Sequence, residues 1–296
     1  MTHHADKTPV GIIGVGNMGG GMAANLLAQR WPVHVRDLDS ARERNFTQIG
    51  AVAHTSPSQL AIHCEVIVVC VVDAAQTREV LFGAGGAAAA MRPGQAVMLC
   101  PTIAPQDVEA FATELAERGL QTIDAPMSGG PVRARDGSMS LMVACPDEVF
   151  EQRRALLEAL SNKLFPISQR PGDGARTKLV NNLLAGINLT GAAEVLALAQ
   201  RMGLDLGRTL DVIEQSSGQS WIGSDRMRRA IAGDFAPRAH TTLLAKDTRL
   251  ALAAAQAAGF EPALGRLACG TFARAIDAGL ALDDDASVFK LLSRPA

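Results

Sequence analysis

A chain of 296 residues is long for one compact core, and two domains are the natural expectation. Its 48% hydrophobic and 20% charged residues allow a real core and exclude wholesale disorder. A net charge of −2 excludes the broad basic face that nucleic acid or an anionic membrane requires, although a local basic pocket for a small anion stays open.

The chain starts Met-Thr-His-His-Ala-Asp-Lys-Thr, which is polar and lacks the apolar stretch of a signal peptide. Short apolar runs then alternate with helical stretches. Residues 10–13, 32–35, 66–72, 96–99 and 122–123 read as strands, most of them continuously apolar, as strands covered on both faces should be. Residues 17–29, 57–63, 74–81 and 105–118 read as helices between them, and 85–90 reads as a loop running into a helix. This alternation predicts an α/β, Rossmann-like doubly wound parallel sheet. A hairpin-like segment at 138–145 and a last strand near 164–167 close it.

A Pro-Gly-Asp-Gly segment at 171–174 marks the expected boundary, giving domains of 1–170 and 171–296. Beyond it the pattern is all-α. Residues 175–202 predict one long interdomain helix, apolar nearly all round and therefore buried. Gly203 is placed to stop it and Asp205 to cap the next helix. Further helices are expected near 225–231, 242–257, 262–278 and 284–292.

No run approaches the roughly 18 apolar residues of a membrane span, and the expected compartment is the cytoplasm. Cys64, Cys70, Cys100, Cys145 and Cys269 form no CxxC pair, so neither a disulfide framework nor a zinc site is expected. The histidines (His3, His4, His34, His54, His63 and His240) form no metal-binding signature, and His3 and His4 read as tail residues.

The strongest local motif is Gly14-Val-Gly16-Asn17-Met18-Gly19, a GxGxxG directly after a strand and opening a helix. Glycine is needed there for a tight turn, for backbone contact with a pyrophosphate and for close packing of helix on strand. The helix N-terminus then offers unpaired N–H groups to the phosphates. Asp37 follows Gly19 by 18 residues, at the end of the second strand. A carboxylate there accepts from the ribose hydroxyls of NAD and repels the 2′-phosphate of NADP. Arg36 beside it offers that phosphate a cation, so NAD is favoured and NADP stays open.

Three segments suggest chemistry. In Asp124-Ala-Pro-Met-Ser128-Gly129-Gly130, a serine hydroxyl and glycine N–H groups at the end of a strand can hold a carboxylate; a plain turn is the alternative. Lys178 and Asn182 are four apart and share a helix face. An apolar setting lowers a lysine's pKa towards that of a general acid/base at neutral pH, whereas a lysine snorkelling at a helix start is the structural alternative. Trp221, after Ser-Ser-Gly-Gln-Ser, and the pair Lys246-Asp247 carry little singly, since such a Trp is more often core than a ligand wall and such a pair more often a surface ion pair at a helix.

Taken in order, these segments resemble the β-hydroxyacid dehydrogenase family, relatives of 6-phosphogluconate dehydrogenase that include 3-hydroxyisobutyrate dehydrogenase and tartronate semialdehyde reductase. The resemblance implies an NAD(P)-dependent oxidoreductase acting on a small carboxylate-bearing β-hydroxy acid, as a homodimer or homotetramer. It implies Lys178 as general acid/base helped by Asn182, with the substrate carboxylate on Ser128, Gly129 and Gly130. Lys246 would sit near the nicotinamide with Asp247 in support, and the Trp221 segment would wall the substrate. Val72 and Thr102 would join the cofactor contacts. The segments at 71–77 and 283–287 look more like the L-threonate dehydrogenase branch, so the sequence straddles subfamilies. It departs from the family in having Pro101 before Thr102 and no tyrosine; Arg226 stands about where some relatives carry one, which favours a more polar or anionic substrate. An imine reductase and a non-catalytic dinucleotide sensor are the competing readings. Lys178 argues against the first, and the joint set of Ser128, Lys178, Asn182 and Lys246 against the second.

Overall fold

A computed structural model describes residues 7–294; the reading of His3 and His4 lies outside them. The chain forms two compact units, divided in sequence between Lys178 and Leu179.

The first unit is an α/β sheet. Its strands are β1 (Val10–Ile13), β2 (Val33–Arg36), β3 (Val52–Ala53), β4 (Val66–Val69), β5 (Ala96–Leu99), β6 (Gln121–Asp124), β7 (Met127–Ser128), β8 (Ser140–Ala144) and β9 (Lys163–Ser168). They run in the order β3-β2-β1-β4-β5-β6-β8-β7, with β9 paired to β8. The pairs from β3 to β6 are parallel; β8 runs antiparallel to β6 and β7. The helices are α1 (Asn17–Ala28), α2 (Ser40–Thr47), α3 (Pro57–Ala61), α4 (Ala74–Phe82), α5 (Pro105–Ala116), α6 (Gly130–Asp136) and α7 (Asp147–Leu160).

Continuous apolarity in the central strands has a direct cause. Along β4, Val66 and Val68 enter one core with Ile12, Leu26 and Met98, while Ile67 and Val69 enter the other with Leu60, Leu99 and Phe111. With a side-chain period of two, a strand covered on both faces must be apolar at every position.

The second unit is helical. α8 (Asp173–Arg201) runs across the boundary and is followed by α9 (Leu206–Glu214), α10 (Trp221–Ile231), α11 (Thr241–Ala257), α12 (Ala263–Ala275) and α13 (Val288–Leu292). Gly203, at φ +72, follows the end of α8, and the Asp205 side chain accepts from Arg208 N–H to cap α9. Leu189, Leu196, Leu210, Met227, Leu244 and Phe272 form its core. Its described residues contain no named strand, only an isolated bridge between His240 and Asp284.

Several local expectations are corrected. β4 ends at Val69, and Val72 is 48% exposed in the following bend. Residues 138–145 form no hairpin of their own, because β8 pairs with β7 and β9. α12 gives way to a wider turn at Ile276–Leu280, where Gly279 has φ +83. α8 is not buried all round: Val180, Leu184, Leu198 and Met202 are exposed along it.

Candidate active site

In the first unit the strand order reverses between β1 and β4, so the loops after these strands meet at the carboxyl edge of the sheet, where ligands of such sheets bind. Gly14 has φ +91, and a Cβ there would lie 2.5 Å from the Cys70 carbonyl oxygen. At Gly19 a Cβ would lie 1.9 Å from the Gly14 carbonyl oxygen, so this glycine lets α1 start against its own strand. Gly16 differs. A Cβ there would meet only Arg42 Nη1, at 3.3 Å, and no side chain caps the α1 N-terminus it opens. An open glycine before uncapped N–H groups fits a pyrophosphate. Asn17 and Met18 form the first turn of that helix.

The Asp37 carboxylate ties the loop to the end of β2, accepting from Val15 N–H at 2.8 Å and Asp39 N–H at 2.9 Å. Arg36 turns to α2, where Nη1 lies 2.9 Å from Glu43 Oε1, and it also donates to the Asp37 carbonyl. Arg42, rather than Arg36, borders Gly16, with Nε 3.5 Å from Asp39 in an exposed pair. Sequence reasoning missed Arg42 because it missed α2, an eight-residue helix without a buried side chain. Its signal was the capping residue Asp39, which accepts from Ala41 N–H.

Thr102 follows β5, partly buried, at the same sheet edge as the loop after β4. Ser128 ends β7, opposite Ser140 of β8. Gly129 and Gly130 both take positive φ, +131° and +76°, and nothing lies within 4 Å of a Cβ position on Gly130. The backbone after Ser128 is therefore shaped as only glycine readily allows and is open to a ligand.

Asp124, at the end of β6, has a role that its sequence motif does not disclose. It is 1% exposed, and its Oδ2 accepts from Gly172 N–H at 2.8 Å and Ala175 N–H at 3.1 Å. The carboxylate thus caps the start of α8 from another element. Gly174 makes room for it, since a Cβ there would lie 2.9 Å from Oδ2. Burial pushes the Asp124 carboxyl up to about 6, against the pull of those N–H donors. Lys178 follows within this helix and is 8% exposed.

In the second unit, Asn182 and Asp247 are each 8% exposed. Asn182 Nδ2 donates to Asp247 Oδ2 at 2.6 Å, and Lys246 Nζ lies 2.8 Å from Asp247 Oδ1. One carboxylate on α11 thereby orients an amide on α8 and a lysine beside itself. Asn181 donates to Asn182 Oδ1 at 3.0 Å and fixes which way that amide points. Trp221 opens α10 behind the capping Ser220 and is 49% exposed, so it is no core residue. Arg226 is already engaged: Nε lies 2.5 Å from Asp285 Oδ1, and Nη1 bonds Asp225. Its charge is balanced within its own unit, which counters the reading that it draws an anionic substrate.

Burial pushes the thiols of Cys64, Cys70 and Cys145 up to about 12, which leaves them unreactive at neutral pH.

Residues 9–168 match the family described as the NAD binding domain of 6-phosphogluconate dehydrogenase. Residues 172–292 match that described as the NAD-binding domain of NADP-dependent 3-hydroxyisobutyrate dehydrogenase. An L-threonate dehydrogenase of Cupriavidus necator is 38% identical, over 95% of this chain and 95% of its own. The crystal structure of a 3-hydroxyisobutyrate dehydrogenase from Salmonella typhimurium is 36% identical with a TM-score of 0.90, over 96% of this chain and 99% of that one. A structure of Psf3 with NADP+ and 2-OPP is 29% identical with a TM-score of 0.88, over 96% of this chain and all of that one. The open glycine loop, the shaped backbone at Ser128 and the Asn182–Asp247–Lys246 array thus stand within a likeness spanning nearly the whole chain, which belongs to the β-hydroxyacid dehydrogenase family of NAD(P)-dependent oxidoreductases.

Proposed function

We propose that this dehydrogenase oxidises a small sugar acid of four carbons, L-threonate foremost, with NAD as acceptor and Lys178 as the base. The observation that carries the catalytic assignment is the buried array on α8 and α11. Asn182 is locked by Asp247, and Lys178 stands one turn before it with only 8% of its surface exposed. An ammonium group is expensive to bury, so a lysine kept there calls for a role. When bound, the nicotinamide supplies the hydride acceptor. Lys178 Nζ takes the hydroxyl proton as the carbon gives up hydride, and returns a proton in the reverse direction. Ser128 and the backbone of Gly129 and Gly130 hold the substrate carboxylate, Trp221 walls the substrate, and Asn182 orients the reacting hydroxyl. Lys246, fixed by Asp247, lies beside the nicotinamide, while Gly14, Gly16, Asn17, Met18, Gly19, Val72 and Thr102 contact the dinucleotide.

Preference for NAD is supported by the Asp37 carboxylate at the end of β2 and by the engagement of Arg36 with Glu43, which leaves that cation committed before a 2′-phosphate arrives. The substrate follows the Cupriavidus necator relative's activity. The cytoplasm as compartment and a homo-oligomeric state complete the reading.

The test is reduction of NAD+ and NADP+ by the purified protein across L-threonate, 3-hydroxyisobutyrate, L-serine and glycerate, followed by absorbance of the reduced cofactor. Highest kcat/KM with L-threonate and NAD+ is expected. Faster turnover of another acid overturns the substrate, and faster turnover with NADP+ overturns the cofactor.

A further inference from the structure

Asp124 is engaged at both of its ends. Its backbone lies within the sheet, in register with Leu99 of β5 on one side and Ala144 of β8 on the other. Its carboxylate accepts from Gly172 N–H at 2.8 Å and Ala175 N–H at 3.1 Å, so one oxygen holds the first turn of α8. A helix is ordinarily capped by the residue just before it. Here the acceptor comes from 48 residues upstream, on another element, and is 1% exposed. Burying a carboxylate is costly, and a local serine or asparagine would cap with less desolvation. What the distant cap adds is a fixed place for the helix start against the sheet.

The packing around this bond agrees. A Cβ on Gly174 would lie 2.8 Å from the Met142 carbonyl oxygen and 2.9 Å from Asp124 Oδ2, so the first turn rests directly on β8 and on the Asp124 side chain. Arg170 and Arg176 reach the same turn from the surface. They are 81% and 46% exposed, and water screens their pairs with Asp173 and Glu109. The buried bond to Asp124 is therefore the stiffer tie.

Its place in the chain gives this tie a consequence for the reaction. Asp124 stands four residues before Ser128, and Ala175 stands three residues, about one helical turn, before Lys178. All of them belong to the first unit. The carboxylate cradle and the base of the proposed reaction thus sit on different elements, and Asp124 joins the two. With 1% of its surface exposed it meets no substrate and acts on the reaction only through other residues. Proton transfer needs the base within hydrogen-bond reach of the hydroxyl, and a displacement of about 1 Å lowers the rate on the order of 10².

We propose that Asp124 is a positioning residue for the reaction, holding Lys178 at a set distance from Ser128; the proposal rests on the reading of Lys178 as the base. The test is kcat and NADH affinity of Asp124→Ala, Asp124→Asn and Gly174→Ala, with Asp124→Ala also combined with Lys178→Ala, and circular dichroism to show which variants fold. Asp124→Ala is expected to lower kcat on the order of 10² while the NADH dissociation constant stays within about threefold of the parent's. Asp124→Asn keeps an oxygen for both N–H groups and should restore kcat to within about threefold. Added to Lys178→Ala, Asp124→Ala should lower kcat by less than about threefold further, because the group it positions is gone. Gly174→Ala displaces the carboxylate from the helix side; it should reproduce the loss, and it decides the matter if Asp124→Ala does not fold. A folded Asp124→Ala with parental kcat overturns the proposal and leaves Lys178 as base standing. An equal loss with and without Lys178, the mark of a general structural cap, does the same, as does an Asp124→Asn as slow as Asp124→Ala. A Lys178→Ala that turns over like the parent overturns the base itself, and this proposal with it.

Discussion

At the scale of single residues, the nucleotide loop separates glycines that the backbone requires from one that it does not. Gly19 has the Gly14 carbonyl where a Cβ would go, whereas Gly16 has only the end of the Arg42 side chain. Gly16→Ala is therefore expected to weaken NADH binding tenfold or more while changing folding stability by no more than about 0.5 kcal/mol. Gly19→Ala must move the loop and should lose both. Fluorescence titration with NADH and a urea melt of each variant check this contrast, which equal stability losses would contradict. Arg42 invites a second substitution. Its exposed pair with Asp39 contributes about 0–1 kcal/mol, so Arg42→Ala should fold normally. If its guanidinium meets a cofactor phosphate, the dissociation constant of NADH rises severalfold; an unchanged constant would remove Arg42 from the site.

Among the elements, the start of α8 depends on a carboxylate from β6. With its carboxyl raised from 3.8 to about 6, folded Asp124 holds a proton that the unfolded chain has already released between those values. Stability from this group is therefore present below about pH 4 and lost as pH rises through about 6. A carboxyl raised that far accounts for about 3 kcal/mol. Asp124→Asn keeps an oxygen to accept the Gly172 and Ala175 N–H groups and cannot titrate. Urea melts from pH 4 to 7 should show the variant gaining on the parent by about that amount as pH rises. A constant difference would mean that Asp124 titrates normally.

The same scale shows what the sequence could reveal. β1, β4 and β5 were legible because burial on both faces leaves an uninterrupted apolar run. α2 was not, because it presents no buried residue and is held by its cap. α6 was hidden behind a Gly-Gly-Pro start that reads as a turn. α7 carries a readable stripe in Val149, Phe150, Leu156 and Leu157, so its helix is legible in the sequence as well. The site divides along similar lines. The glycine loop and the Lys178–Asn182 spacing are local patterns. The Asn182–Asp247 bond spans 65 residues and Asp124's hold on Gly172 spans 48, so both needed the folded chain to be seen.

For the whole molecule, the proposed reaction draws on residues of both units. The glycine loop and Ser128 belong to the first, Asn182, Trp221, Lys246 and Asp247 to the second, and Lys178 is the last residue before the division. Turnover therefore tests the chain in a way that cofactor binding alone does not. The decisive measurement is kcat of Lys178→Ala with NAD+ and the best acid of the panel, beside its affinity for NADH. The account predicts a fall in kcat on the order of 10²–10⁴, with the NADH dissociation constant within about threefold of the parent's. A variant that turns over within about threefold of the parent would contradict it and return Lys178 to the role of a buried structural lysine.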